Sequence, residues 1–327
     1  MNDRPAVSVV VPVYDNAATL ARLLRACRQQ DHPGGVEVIV VDDGSRDDSA
    51  GIAEEAGVRV IRQENRGPAA ARNRGWREAT ADIILFTDAD CVPRTDWARL
   101  LAEGVGGGFA AAGGTYGIVN PESALARSVH AEIVWRHSGF PEEIDFAGSF
   151  NLGVKRAAME EVGGFDESFP LPSGEDNDLS YRLRDAGHRI RFVREAVVDH
   201  HHPDSLGRYL REQARHGEWR VVLYASHPRR ARGDRYAGPA DLAAPPVAAL
   251  CAVFAFAAPF AHRASAVALL LLAVLALLQW RACAGASRRE GSPGAGTLLA
   301  LGIVRAFARA WGMTRGVVRV LFSRRNA

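Results

Sequence analysis

The order of apolar and polar positions divides the chain into three stretches of different character. Over the first 92 residues two periods alternate. Val7 to Tyr14 is a strand-like apolar run, Asn16 to Gln30 carries Leu20, Leu23, Leu24 and Cys27 at helical spacing, and Val36 to Val41 is a second strand. Asp47 to Ala56 predicts a short helix, Val58 to Arg62 a third strand, Gly67 to Ala79 a helix and Asp82 to Thr87 a fourth strand. Strict alternation of strand and helix means βαβ units, so the expected class is α/β, with a Rossmann-like, mostly parallel sheet and flanking helices.

From 93 to 165 the pattern is less regular. GVGGGFAAAGGTYG is glycine-rich, Glu122 to His137 predicts a helix, and Phe146 to Val154 is strand-like. Glu175 to Ala186 then reads as a helix with Leu179, Leu183 and Ala186 on one face. The strand Arg189 to Val193, the short run Ala196 to Val198 and a helix from Ser205 to Leu223 follow.

After Pro228 the composition shifts. Leu242 to Ala261 and Ala264 to Trp280 are uncharged apolar stretches separated by His262-Arg263. About 20 residues cross a ~30 Å hydrocarbon core, so residues 242–283 read as a transmembrane helical hairpin, although Pro245, Pro246 and Pro259 weaken its first arm. Arg229, Arg230, Arg232 and Arg235 lie in a basic linker, 226–241, and Arg281, Arg288 and Arg289 follow the pair. Only Arg263 sits in the turn, which puts both outer ends in the cytoplasm. In the final segment, 284–327, the stretch Thr297 to Phe322 is amphipathic. At ~100° per residue, Arg305, Arg309, Arg315 and Arg319 share an arc of roughly 120°. Ile303, Phe307, Trp311, Val317, Val318 and Leu321 lie opposite, as in an interfacial helix rather than a third span.

The net charge of +2 conceals an asymmetry. Residues 1–205 hold 33 acids against 22 basic residues, or −11, and residues 206–327 hold 5 against 18, or +13. An acidic front and a basic, apolar back indicate a soluble domain tied to an anionic membrane surface, and no nucleic acid. Lys155 is the only lysine, and with abundant Ala and Gly this marks a GC-rich bacterial coding bias. Cys27, Cys91, Cys251 and Cys283 are far apart with no C-x-x-C, which argues against a disulfide framework or zinc site. The first apolar run is too short for a signal peptide, so residues 1–225 are expected to stay in the cytoplasm.

The chemistry concentrates where strands end. Asp88 and Asp90 lie just past the run IILF, where an open α/β sheet binds ligand, and alternate residues of an extended segment point the same way. They suit one shared divalent cation, or a solvated strand end with a helix cap. Pro12, Val13 and Tyr14 offer a backbone edge to a nucleobase. Asp42 or Asp43 could accept from a base or ribose, while Asp47 or Asp48 caps the next helix. Gly67 and Pro68 open a helix favourable to phosphate oxygens, with Arg66 and Arg72 nearby. Glu175 and Asp176 stand at a helix start, as macrodipole partners or as a base for an acceptor hydroxyl. His200, His201 and His202 end a strand, where at most two could face one metal site.

The ordered set PVYDN, VDDGS, NRGPAAARN, TDADC, GGFDE, GEDNDLSYRL and the following histidine resembles the family 2 glycosyltransferases over roughly residues 6 to 220. Those are inverting, nucleotide-sugar-dependent enzymes with a GT-A-type fold. The resemblance implies that Asp42 and Asp43 bind the nucleoside, and that Asp90 with Asp88 ligates Mg²⁺ or Mn²⁺ on the donor diphosphate. It further implies Asp176 as catalytic base beside Glu175, His200 as a further metal ligand, and Phe146 to Asn151 as part of the sugar or acceptor wall. Processive members carry Q-x-x-R-W, whereas REQARHGEWR places Gln213, Arg215 and Trp219 at another spacing. That favours transfer of a single sugar, and the hairpin and basic helix suggest a lipid-linked or cell-envelope glycan acceptor at the cytoplasmic face of a bacterial cell membrane. A nucleotidyltransferase would need a basic glycine-rich loop that PVYDNAATL lacks, and an intact acidic pair speaks against a non-catalytic nucleotide-sugar-binding scaffold.

Overall fold

The valine run VSVVVPV forms the interior strand β1 (Val7–Val13), apolar on both faces because both are covered. In the computed structural model, which describes residues 6–232, 238–289 and 291–323, the expected alternation follows. It comprises α1 (Ala17–Arg28), β2 (Val36–Asp42), α2 (Ser49–Glu55), β3 (Arg59–Arg62), α3 (Pro68–Glu78) and β4 (Ile83–Phe86). Strand β1 pairs in parallel with β2 and β4, and β2 with β3. The register sets Val13 beside Asp42 and Val10 beside Phe86, so the ends of β1, β2 and β4 share one edge of the sheet.

The irregular middle contains β5 (Cys91–Pro93), α4 (Trp97–Gly104), β6 (Ala111–Ile118), α5 (Ala124–Ser138), β7 (Glu143–Ile144) and β8 (Leu152–Lys155). Then come α6 (Arg156–Val162), α7 (Glu175–Asp185) and β9 (Ile190–His200). The sheet order is β3-β2-β1-β4-β8-β6-β9-β5, with β7 on β9. Strand β8 runs antiparallel to β4 and β6, and β5 and β7 run antiparallel to β9, so the complete sheet is mixed α/β, parallel in its first half. The glycine-rich stretch is strand β6, parallel to β9, and its glycines serve close approach. A Cβ on Gly114 would lie 2.0 Å from the Ala196 carbonyl oxygen. The two expected strands at 189–198 are one continuous strand. The expected strand Phe146–Val154 is broken by a 3₁₀ turn at Ser149–Asn151.

Each face of the sheet has its own core. Val7, Val9 and Val11 pack with Leu20, Leu23 and Leu24 of α1 and Leu101 of α4. Val10, Ile84 and Phe86 pack on the other face with Trp76, Leu179 and Leu183. Period-two alternation along β1 therefore feeds two layers.

The chain divides into two compact units, one built on the sheet (Met1–Val119 with Phe140–His201) and one of helices (Asn120–Gly139 with His202–Ala327). The second holds α5, α8 (Leu206–Ser226), α9 (Pro239–Ala257), α10 (His262–Ala286) and α11 (Ala295–Ser323). Helix α9 continues through Pro245 and Pro246, and α10 is longer than its apolar run, taking in Arg263 and Arg281. At ~1.5 Å per residue they are about 28 and about 37 Å long. Arg235 lies outside the described residues.

Helix α11 has arginines and apolar residues arranged as expected, but Arg305 and Arg309 are turned inward while Arg315 and Arg319 stay about half exposed. Arg305 donates to Glu132 of α5 and to Gln279 of α10, Arg309 to Gln213 of α8, and Arg315 and Arg319 pair with Glu218 of α8. These partners come from distant segments, which the periodicity of one helix cannot reveal. The four cysteines are free and buried.

Candidate active site

The site grows from the carboxyl edge of the sheet. Asp88 and Asp90 follow β4, and β5 begins at the next residue, Cys91, which is paired across the sheet with His200 of β9. That pairing brings His200 Nε2 to 3.8 Å from Asp90 Oδ1. The donor atoms of Asp90, Cys91 and His200 lie within 4.8 Å of one another. Two ligands at about 2 Å from one ion are at most about 4 Å apart, so the Asp90–His200 spacing fits a shared divalent cation. Burial, then Asp90 and Asp88, push the Cys91 thiol well above its usual range. The Tyr116 ring packs edge-on to His200 and stacks on Phe150 at 3.9 Å.

Asp88 is engaged differently from Asp90. Arg72 Nη2 donates to Asp88 Oδ1 at 2.7 Å, and Arg72 Nη1 donates to Glu175 Oε1 at 3.0 Å. Arg72 is 2 % exposed and Glu175 3 % exposed, with the Phe165 ring 5.6 Å from the guanidinium. One sealed cation thus ties the Asp88–Asp90 loop to the start of α7. The nitrogens of Arg72 are turned to the partly exposed Asp88 and to Glu175, which is itself buried. Burial and the adjacent Asp176 push its carboxyl up to about 7, against the pull of Arg72. Asp176, one residue on, is partly exposed and accepts from the Asn177 amide.

Asp42 ends β2 beside Val13 and Asp43 follows it, with Pro12 half-buried and Tyr14 exposed. Asp43 accepts from Gln63 Nε2, Arg66 N and Gly67 N, all within 2.9 Å. Both its oxygens therefore hold the loop before α3. Asp42 accepts from the Ser45 amide. Gly67 has φ +90°, and a Cβ there would lie 2.6 Å from the Pro170 carbonyl oxygen, so only glycine opens α3 this way. Arg66 pairs with Glu167.

Asn151 accepts at its side-chain oxygen from Trp97 Nε1, and its nitrogen donates to the carbonyls of Thr115 and Ala196, so the amide braces β6, β9 and α4. Of the three histidines, His200 alone joins the acidic loop; His202 is buried on Asn120 and His130. The Arg72 bridge was missed from sequence. An arginine in the otherwise small-residue helix start PAAARN is the only signal that could have raised it.

Comparison with known proteins follows the same residues. The glycosyl transferase family 2 model matches residues 8–159. The pre-mycofactocin glycosyltransferase of Mycobacterium tuberculosis is 33% identical over 240 residues, 68% of this chain and 48% of that protein. The chain thus spans about half the length of that relative. The glycosyltransferase AglE of Haloferax volcanii is 30% identical over 67% of this chain and 74% of its own. Among solved structures, a mannosyltransferase from Pyrobaculum calidifontis, in complex with GDP-Man and Mn²⁺, superposes with a TM-score of 0.57 at 22% identity. The match covers 98% of this chain and 88% of that one, a likeness of fold.

Proposed function

The chain belongs to glycosyltransferase family 2, and from that premise we propose that it is an inverting enzyme moving one sugar from a nucleoside-diphosphate sugar to an acceptor hydroxyl. The single observation that carries this reading is the buried Arg72, which joins the acidic loop to the start of α7. Two chemical parts of a displacement at an anomeric carbon, a site for the leaving diphosphate and a carboxylate base, are thereby held in one rigid frame.

Asp90 and His200 would hold the divalent cation. When bound, it offsets negative charge on the departing nucleoside diphosphate. An imidazole in the donor set favours Mn²⁺ over Mg²⁺, which prefers oxygen ligands and keeps its waters. Asp42, Pro12, Val13 and Tyr14 border the nucleoside position, and Gly67 brings the amide end of α3 close to the phosphates. Asp176 takes the proton from the attacking acceptor hydroxyl; Glu175 stays buried behind it and orients Arg72.

The helices α9 and α10 anchor the enzyme in a membrane, with the arginine-rich flanks at the cytoplasmic side. An acceptor that is lipid-linked or part of a cell-envelope glycan fits an enzyme held there. The test is thermal stabilisation of the full chain by a panel of nucleotide sugars, with and without Mn²⁺. The reading expects at least one donor to raise the midpoint only when metal is present. Stabilisation by none of them, or equally well in chelator, would contradict it.

A further inference from the structure

Helix α11 is arranged as a helix in lipid is, and opposite to a helix in water. Val304, Trp311, Val317, Val318, Leu321 and Phe322 are exposed along one side, Trp311 by 65%. On the opposite side Arg305 and Arg309 reach inward to Glu132, Gln279 and Gln213, while Arg315 and Arg319, about half exposed towards the C-terminal end, pair with Glu218 of α8. A surface helix of a soluble protein buries its apolar stripe and solvates its charges. Here Arg305 is 7% exposed and Trp311 is outside.

The packing beneath that face has the same character. Gly312 and Gly316, four residues apart, lie against α8. A Cβ on Gly312 would be 1.8 Å from the Ala214 carbonyl oxygen, and one on Gly316 would be 2.4 Å from that of Glu218. On α8, Gly217 returns the fit, with a Cβ 2.2 Å from the Arg309 carbonyl oxygen. Close backbone approach through small-xxx-small pairs, combined with polar side chains bonded between helices, is how helices associate where no hydrophobic effect drives them together. Ala306, Ala310, Ile303 and Phe307 of α11 also pack on Ala244, Ala248 and Leu275 of α9 and α10. Helix α11 is thus packed on the hairpin, which itself exposes Val253, Phe256, Leu269, Leu270 and Leu277.

We propose that the outward face of α11 is a lipid-contact surface, so that the second unit meets bilayer hydrocarbon with three helices rather than two. The proposal rests on the reading of α9 and α10 as membrane-embedded, and it commits to acyl chains as the occupant. The buried Arg305, which a helix could not carry into lipid alone, is neutralised within the unit by Glu132, and the half-exposed Arg315 and Arg319 pair with Glu218.

Tryptophans placed on both parts separate the two claims. Trp280 on α10 is 52% exposed, Trp311 on α11 is exposed, and Trp219 on α8 is 4% exposed. The full chain is reconstituted into vesicles of ordinary lipid or of lipid with brominated acyl chains, and bromine quenching of tryptophan emission is read for the wild type, Trp280→Phe, Trp311→Phe and Trp219→Phe. The proposal expects Trp280→Phe and Trp311→Phe each to lose a distinct share of the quenching, and Trp219→Phe to lose none. Loss with Trp280→Phe alone leaves the hairpin in the membrane and overturns the assignment of α11. Unchanged quenching in Trp311→Phe together with a doubled particle mass would assign that face to a second copy, and overturns it too. No quenching in the wild type sinks the membrane reading itself.

Discussion

Arg72 Nη1 donates to Glu175 Oε1 across 3.0 Å, although 103 positions separate the two residues in the chain. The same guanidinium holds Asp88, so the contact transmits the position of α7 to the acidic loop. Removing one partner of a buried pair leaves an uncompensated charge and costs about 3–5 kcal/mol. Arg72→Ala should lower the thermal midpoint sharply, whereas Glu175→Gln, which keeps an oxygen acceptor of the same shape, should lower it little. Thermal unfolding of both variants checks this, and equal losses would mean that Arg72 needs the charge of Glu175 and not only its oxygen.

The raised carboxyl of Glu175 also carries a pH signature. Its ordinary value is 4.5 and the folded value is about 7, so the fold favours the protonated form. The stability this group contributes is fully present below 4.5 and is lost as pH rises through about 7. The thermal midpoint, followed between about pH 5 and 8, should fall for the wild type more steeply than for Glu175→Gln. Parallel curves would mean that Glu175 titrates at its ordinary value.

Asp176 and Glu175 are neighbours with separate tasks. Asp176→Asn should reduce transfer by about 10²–10⁴-fold, the usual range for loss of a general base, while leaving donor affinity within about twofold. The measurement is kcat alongside equilibrium donor binding. A turnover rate equal to wild type would remove Asp176 from the role.

His200 ends β9 and Asp90 precedes β5, and the pairing of these two strands brings the side chains within 3.8 Å. His200→Ala should weaken Mn²⁺ binding by at least about tenfold, on the scale of ligand-sphere losses, and should narrow the preference for Mn²⁺ over Mg²⁺. Titration of Mn²⁺ followed by its free paramagnetic signal reads this directly, and unchanged affinity would exclude His200 as a ligand.

Gly67 sits at φ +90° with its missing Cβ aimed at Pro170. Gly67→Ala should cost about 1–3 kcal/mol through strain alone and displace the loop that Asp43 holds. Chemical denaturation of the variant measures it.

Much of this arrangement is legible in the residues, and the rest has identifiable reasons for being hidden. Strand–helix alternation is local, so β1 to β4 and the helices between them fall where periodicity puts them. The antiparallel half depends on pairings between distant segments. Strand β6 is masked by glycines that are there because Ala196 and Asn151 press against it. Residue types at strand ends identify Asp90 and His200, yet only the Cys91–His200 register explains why they meet. Asn151 and Asp43 show the reverse case. Polar residues in a motif can be bonded entirely within the protein, and the sequence does not say which way their hydrogen bonds point. On α11 the two faces were readable, but that Arg305 and Arg309 turn inward depended on Glu132 and Gln213, encoded elsewhere.

The central claim is that the cation site at Asp90 and His200 and the base at Asp176 act on one activated sugar. The most direct measurement is release of nucleoside diphosphate from a panel of nucleotide sugars by the full chain in bilayers with Mn²⁺, for the wild type, Asp90→Ala and Asp176→Asn. The account predicts metal-dependent release from at least one donor, lost in both variants. Release at the wild-type rate by either variant, or none from any donor by the wild type, would contradict it.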